Sequence, residues 1–134
     1  MPKIAHSASD MISGMSPELR PGSFVFASVD EQVGAGLMAQ AVSMFREDEG
    51  LSLLLPAKVA ETAGLPVDQP MRCITLNVYS SLEGVGLTAA VATALAENGI
   101  ACNMVAAFHH DHAFVPDALS EKAMQVLKEL QASG

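Results

Sequence analysis

From Gly22 to Val29 the side chains alternate, with Phe24, Phe26 and Ser28 on one face and Val25, Ala27 and Val29 on the other. This is the period-two pattern of a strand. Val42–Arg46 and Leu51–Leu55 are two further β-rich runs, joined by Glu47-Asp48-Glu49-Gly50, whose charges and glycine suit an exposed hairpin turn. Pro56 then opens a short helix through Ala63, because proline fits the first helical position and Gly64 can take a left-handed cap. Ahead of these, Met1–Gly22 has little pattern beyond Asp10, Met11, Ile12 and Met15, which predict one short apolar-faced helix before Ser16-Pro17. This stretch reads as a docked arm.

The second half is more regular. Met71–Tyr79 places Ile74, Leu76 and Val78 inward and Cys73, Thr75, Asn77 and Tyr79 outward. Leu87, Val91, Ala94 and Leu95 follow at helical spacing, with Gly99 closing the helix. Ile100–Phe108 and His112–Val115 predict strands around His109-His110-Asp111. Leu119, Ala123, Val126, Leu127 and Leu130 form the apolar stripe of a last helix, with Asp117 near its N-terminal end. The order is βαββα. The right-handed crossover rule puts the third strand between the first two, a ferredoxin-like arrangement. That arrangement normally ends on a fourth strand, absent after this helix, so the open edge is expected to be filled from the first half or from another subunit.

An internal repeat is also visible. Ser28-Val29-Asp30-Glu31-Gln32-Val33-Gly34 matches Ser80-Ser81-Leu82-Glu83-Gly84-Val85-Gly86 as S-x-x-E-x-V-G, and Phe45-Arg46-Glu47-Asp48 matches Phe108-His109-His110-Asp111 as F-x-x-D. The offsets, 52 and 63, differ by 11 residues, about three helical turns. The first copy therefore reads as the second with its crossover helix cut out: Gly34 over Gly86, Asp48 over Asp111, and no long helix between Ala35 and Ala41.

Composition narrows the function. The 134 residues are half apolar, and seven Lys and Arg against 15 Asp and Glu give a formal net charge of −8, the wrong sign for a phosphate backbone. Trp is absent and Tyr79 is the one tyrosine, so the stacking platforms of single-strand binders are missing. Neither a nucleic acid nor a membrane is expected as partner: no apolar run approaches a bilayer-spanning length and the N-terminus lacks signal-peptide grammar. A soluble, cytoplasmic protein is the expectation. Cys73 and Cys102 each sit in an apolar run rather than a CxxC pair and read as core residues.

Two stretches carry candidate chemistry. The loop Ser80-Ser81-Leu82-Glu83-Gly84-Val85-Gly86 joins a strand to a helix N-terminus, where free N–H groups and the helix dipole can hold an anion. With no lysine in it, a carboxylate suits it better than a triphosphate. The plainer reading is that Ser80 or Ser81 caps the helix and the glycines shape a turn. His109-His110-Asp111-His112 is the second stretch, where His110 and His112 could share a strand face and bind zinc or nickel. A solvated or hydrogen-bonded turn outweighs that reading, because spacing identifies no third ligand. No nucleophile elbow frames any serine, so no catalytic residue and no cofactor is assigned.

The segment Cys73–Pro116 resembles an ACT domain, the small ligand-binding module of amino-acid metabolism. S-P-E-L-R-P-G-x-F-V-F, F-R-E-x-E-G-L-x-L-L-L and C-I-T-L-N-V-Y-S-S-L-E-G-V-G-L-T-A-A-V-A-T-A-L-A-E-N-G-I are similar to a bacterial family of small tandem ACT-like proteins. More distantly, the chain resembles the ACT repeats of aspartate kinase and the CASTOR arginine sensors. The resemblance implies an α+β, ferredoxin-like protein with an arm over residues 1–21, a degenerate ACT-like unit over 22–70 and an ACT domain over 71–134. It implies a non-enzymatic amino-acid-binding regulator or sensor, a homodimer acting on an unidentified protein. The ligand would sit between the loop Ser80, Ser81, Leu82, Glu83, Gly84, Val85, Gly86 and Leu87 of one unit and the turn Phe108, His109 and Asp111 of a unit packed beside it. N–H groups of Gly84, Val85 and Gly86 would take the carboxylate, and Glu83 or Asp111 the ammonium. The alternatives are an interaction module without ligand and a divalent-metal-binding protein using His109–His112.

Overall fold

The computed structural model describes residues 12–78 and 86–133, which divide into two units. The first is discontinuous, formed by Met1–Pro21 with Arg72–Gly134, and the second is Gly22–Met71. The first unit contains β1 (Ser16–Leu19), β5 (Met71–Asn77, of which Met71 belongs to the second unit), helix α3 (Leu87–Glu97), β6 (Asn103–Ala106), β7 (Asp111–Pro116) and helix α4 (Ser120–Ser133). The second contains β2 (Phe24–Val29), helix α1 (Glu31–Leu37), β3 (Ser43–Glu47), β4 (Gly50–Pro56) and helix α2 (Ala57–Thr62).

In the first unit the strand order is β1-β5-β7-β6. The strand missing after α4 is β1: it pairs antiparallel with β5 from Ser16↔Asn77 to Leu19↔Ile74, and Arg20 N–H donates to the Cys73 carbonyl at 2.8 Å. The arm thus supplies a strand rather than only a docked helix, although residues 12–14 are helical as expected, and the open edge is filled from within the chain. Ile74, Leu76 and Val78 bury their side chains with Val91 and Leu95 of α3, Ala113 and Val115 of β7, and Ala123, Val126 and Leu127 of α4. The 3.6-residue and two-residue periodicities read from the sequence are the ones that fill this core.

The second unit is also βαββα, with strand order β3-β4-β2 and a core of Val25, Val29, Leu51, Leu53, Leu55 and Ala60. Its hairpin repeats that of the first unit residue for residue at an offset of 60: Phe45↔Ser52 corresponds to Val105↔His112, and Arg46↔Leu51 to Ala106↔Asp111. Both hairpins lead to a proline of the same backbone conformation, Pro56 at φ −52°, ψ 136° and Pro116 at φ −53°, ψ 137°. Pro56 is thus the residue before α2, not its first turn.

This register corrects the motif alignment. Asp48 lies in a hairpin turn whereas Asp111 opens β7, and Gly34 lies inside α1 whereas Gly86 precedes α3. The crossover helix of the second unit is shortened rather than absent: α1 has seven residues against eleven in α3, followed by a single 3₁₀ turn at Met38–Gln40. The linking segment shortens more, from the nine residues between Asn77 and Leu87 to Asp30 alone. Asp30 caps α1 by accepting from Val33 N–H at 2.8 Å, the local signal that marks this helix in a glycine-rich stretch.

Gly34 has a packing role instead of a loop role. A Cβ there would overlap Leu51 Cδ1 and press on Val29 Cγ2 at 3.3 Å, so the missing side chain lets α1 approach β4 closely. Gly36, in the same helix, has nothing within 4 Å of its Cβ position. Gly36→Ala should therefore gain about 0.5–1 kcal/mol from helix propensity. Gly34→Ala should lose about 1–3 kcal/mol through overpacking. Urea unfolding of the two variants checks this pair of opposite signs.

Candidate functional site

The loop and the turn singled out in the sequence belong to the first unit. Ser80, Ser81, Leu82, Glu83, Gly84 and Val85 lie outside the described residues. Gly86, Leu87, Phe108, His109 and Asp111 are described. Gly86 is the residue preceding α3, at φ 104° and ψ −24°, with no side-chain hydrogen bond capping the helix among the described residues. A positive φ favours glycine, and the first-turn N–H groups of α3 have no intrahelical acceptor. Leu87, only 3% exposed, anchors this end of the helix in the core.

Strand direction brings Asp111 to the same end. Thr75 Oγ1 lies 3.0 Å from His112 Nδ1, and Val78 O lies 3.4 Å from His110 Nδ1. The partner number falls as β5 advances, so β7 runs antiparallel to β5 and begins where β5 finishes and α3 starts. Asp111 alternates with Ala113 and Val115, which puts it on the helix-bearing face of the sheet, whereas His112 occupies the opposite face. Burial pushes the Asp111 carboxyl above its ordinary range, partly offset by the His112 and His110 charges. Phe108 is 76% exposed and stacks edge-on with His109 at 5.1 Å between ring centroids.

The opposite face carries a polar network that motif reading did not reveal. Glu18, opposite Thr75 in the β1–β5 ladder, accepts from Arg20 Nη1 at 2.8 Å and from Asn77 Nδ2 at 3.1 Å. Thr75, one of two buried polar side chains among the described residues, bonds to His112, and its hydroxyl also engages the Cys73 thiol. Burial pushes the pKa of both Cys73 and Cys102 up, so each thiol is held protonated. Strand alternation, invisible until β1 is placed, is what brings Glu18 and Arg20 to this face.

The histidines do not converge with a third ligand. Among the described residues, no three of His, Cys, Asp and Glu are grouped so as to hold a metal ion. The Nδ1 atoms of His110 and His112 already engage the protein. Elsewhere, a shallow cleft of about 380 Å³ in the second unit is lined by Leu37, Gln40, Lys58, Val59, Thr62 and Ala63, none of them a residue the sequence had marked. No helix among the described residues is long and apolar enough to cross a membrane.

Two βαββα units, the first completed by the strand β1 that precedes the inserted second unit, define a tandem ferredoxin-like protein, with the half-buried Asp111 carboxyl at the end of β7 that lies beside the end of β5. The sequence matches ACT domain families over residues 6–72 and again over 69–129, and the chain belongs to the ACT domain family. ACT domains are regulatory modules that bind small molecules. Among solved structures it is similar to VC0802 from Vibrio cholerae, a protein of unknown function described as a possible transport protein, with 42% identity and a TM-score of 0.82 over 92% of this chain and 94% of that one. Atu0741 from Agobacterium tumefaciens shares the fold at 23% identity and a TM-score of 0.68, covering 87% and 89% of the two chains. The regulatory subunit of aspartate kinase from Thermus flavus shares it at 11% identity and a TM-score of 0.55, covering 87% and 96%. No curated protein matches the sequence.

The titration of His112 gives a test of the polar face. Burial, followed by the His110 charge, lowers its pKa, with Asp111 opposing and Arg20 adding to the effect. The unfolded chain therefore takes up the proton first, so the stability contribution is complete above the ordinary histidine range and declines as the pH falls through it. Asp111 acts with the opposite sign, but lower, in the carboxylate range. Urea unfolding between about pH 7.5 and 6 should show wild type losing stability on acidification and His112→Gln losing less.

Proposed function

We propose that the chain is a non-enzymatic, amino-acid-binding regulatory protein, cytoplasmic and dimeric, that reports ligand occupancy to another protein. The observation that carries this reading is the N-terminus of α3, where a glycine at φ 104° precedes the helix and, among the described residues, no side chain caps it, the setting in which first-turn N–H groups bind an anion. The ligand carboxylate binds there, assisted by the loop Ser80–Val85, and its α-ammonium is taken by Asp111 or Glu83. Asp111 suits that role because its carboxylate is costly in the free protein: burial raises its pKa, and an ammonium beside it offsets the desolvation. Membership of the ACT family supports a small-molecule ligand, and resemblance to the regulatory parts of aspartate kinase supports an amino acid.

A binding-site substitution at Gly86 is uninformative, since any L side chain there is strained at its positive φ. Thermal melts against the twenty amino acids identify the ligand by a raised melting temperature. Asp111→Asn should then weaken that ligand by about ten- to a hundredfold, the value of a charge-assisted hydrogen bond of about 1.5–3 kcal/mol. Calorimetry on the two proteins measures it, and unchanged affinity places the ammonium elsewhere.

A further inference from the structure

The second unit ends in an unprotected edge. β3 is the terminal strand of the order β3-β4-β2 and, among the described residues, pairs with β4 alone. Alternate main-chain N–H and C=O groups along Ser43–Glu47 therefore point away from the sheet. Natural edge strands are usually blunted by lysine, proline, a bulge or an inward-pointing charge. β3 has neither lysine nor proline, and its one charged base, Arg46, is held by both carboxylate oxygens of Glu31 at 2.6 and 2.8 Å.

The edge is also apolar and acidic at once. Phe45 is 71% exposed, Val42 55% and Met44 38%. Phe45 lies on the sheet face away from the helices, as does Phe26, 46% exposed. Glu47, Asp48 and Glu49 follow Arg46 directly in the chain, so the hairpin tip carries three carboxylates next to a guanidinium already paired with Glu31. The hairpin does not require this chemistry. In the first unit the register-equivalent positions hold Val105, half-buried, in place of Phe45, and Phe108-His109 in place of Asp48-Glu49.

We propose that β3 accepts an extended, basic segment of a partner protein as an added strand. Main-chain hydrogen bonds along Ser43–Glu47 supply the ladder, an apolar side chain covers Phe45, and Lys or Arg side chains face Glu47, Asp48 and Glu49. Charge complementarity favours such a segment over a second copy, because the one cation that another β3 offers is Arg46, already paired with Glu31, against the carboxylates of Glu47, Asp48 and Glu49. This assignment is independent of the amino-acid site in the first unit.

The test uses the full chain and a fluorescent hexapeptide alternating Lys or Arg with Val, with two controls: the same pattern in Glu and Val, and a basic peptide of equal charge with proline in place of valine. The first should bind, shift the backbone amide resonances of residues 43–47, and weaken severalfold between about 50 and about 300 mM salt. The controls should bind at least about tenfold more weakly, since one is repelled and the other cannot form a ladder. Phe45→Thr, which keeps strand propensity, and the pair Asp48→Asn with Glu49→Gln should each lower affinity about tenfold with unchanged melting temperatures. Equal binding of the proline peptide, amide shifts confined to other strands, or no binding would overturn the proposal. So would a dimer in sedimentation that Phe45→Thr converts to monomer, which assigns the edge to a second copy.

Discussion

The pairing of β1 with β5 is the constraint on which the first unit depends. β5 buries Ile74 and Leu76 completely on one face and leaves Thr75 and Cys73 no more than 7% exposed on the other. A strand so enclosed must have both backbone edges satisfied, because buried unpaired N–H and C=O groups each cost about 1–3 kcal/mol. β7 satisfies one edge. The four residues of β1 satisfy the other, and they bring with them Glu18 and Arg20, the charged part of the polar network around Thr75.

The two units show how one plan tolerates different degrees of reduction. Their hairpins keep the same register at an offset of 60, which the ladder hydrogen bonds enforce because a one-residue slip would turn every side chain to the wrong face. The segment between the first strand and its helix is under no such constraint. It contracts to a single capping aspartate in the second unit and extends to nine residues, two serines and two glycines among them, in the first. The reduced unit closes its core by drawing α1 onto β4 at Gly34, while in the longer unit α3 starts after Gly86 at a positive φ, with no side-chain cap among the described residues. Helix packing has diverged between the copies along with loop length.

The strands, the three longer helical patterns and the ferredoxin-like order were legible because alternation and 3.6-residue spacing reflect burial directly. Ile74, Leu76 and Val78 are inward, and Leu87, Val91 and Leu95 share the buried helix face, as their spacing required. α1 escaped because Gly34 and Gly36 lower helix propensity, while its stabilising contacts with Val29 and Leu51 are tertiary. The S-x-x-E-x-V-G and F-x-x-D matches misaligned the repeat because identical letters occupied different backbone states. Local pattern likewise could not identify β1, whose four residues become a strand only by pairing with residues 55 and more positions away. For the candidate site, the helix N-terminus and Asp111 could be named from sequence. Their common position at one sheet end follows only from the antiparallel run of β7.

The insertion of one unit into the other sets an order on synthesis. β1 emerges from the ribosome first but has no partner until β5 follows it, more than fifty residues later. In that interval Gly22–Met71 contains its own complete set of strands and core, and its ends meet where Phe24 pairs with Met71. Once folded, the insertion presents β1 and β5 as the two ends of a short closed loop in place of a long flexible one, removing much of the entropy that a non-local pairing otherwise costs. Folding of the reduced unit ahead of the rest would make it an internal clamp that delivers the first strand to the sheet it completes.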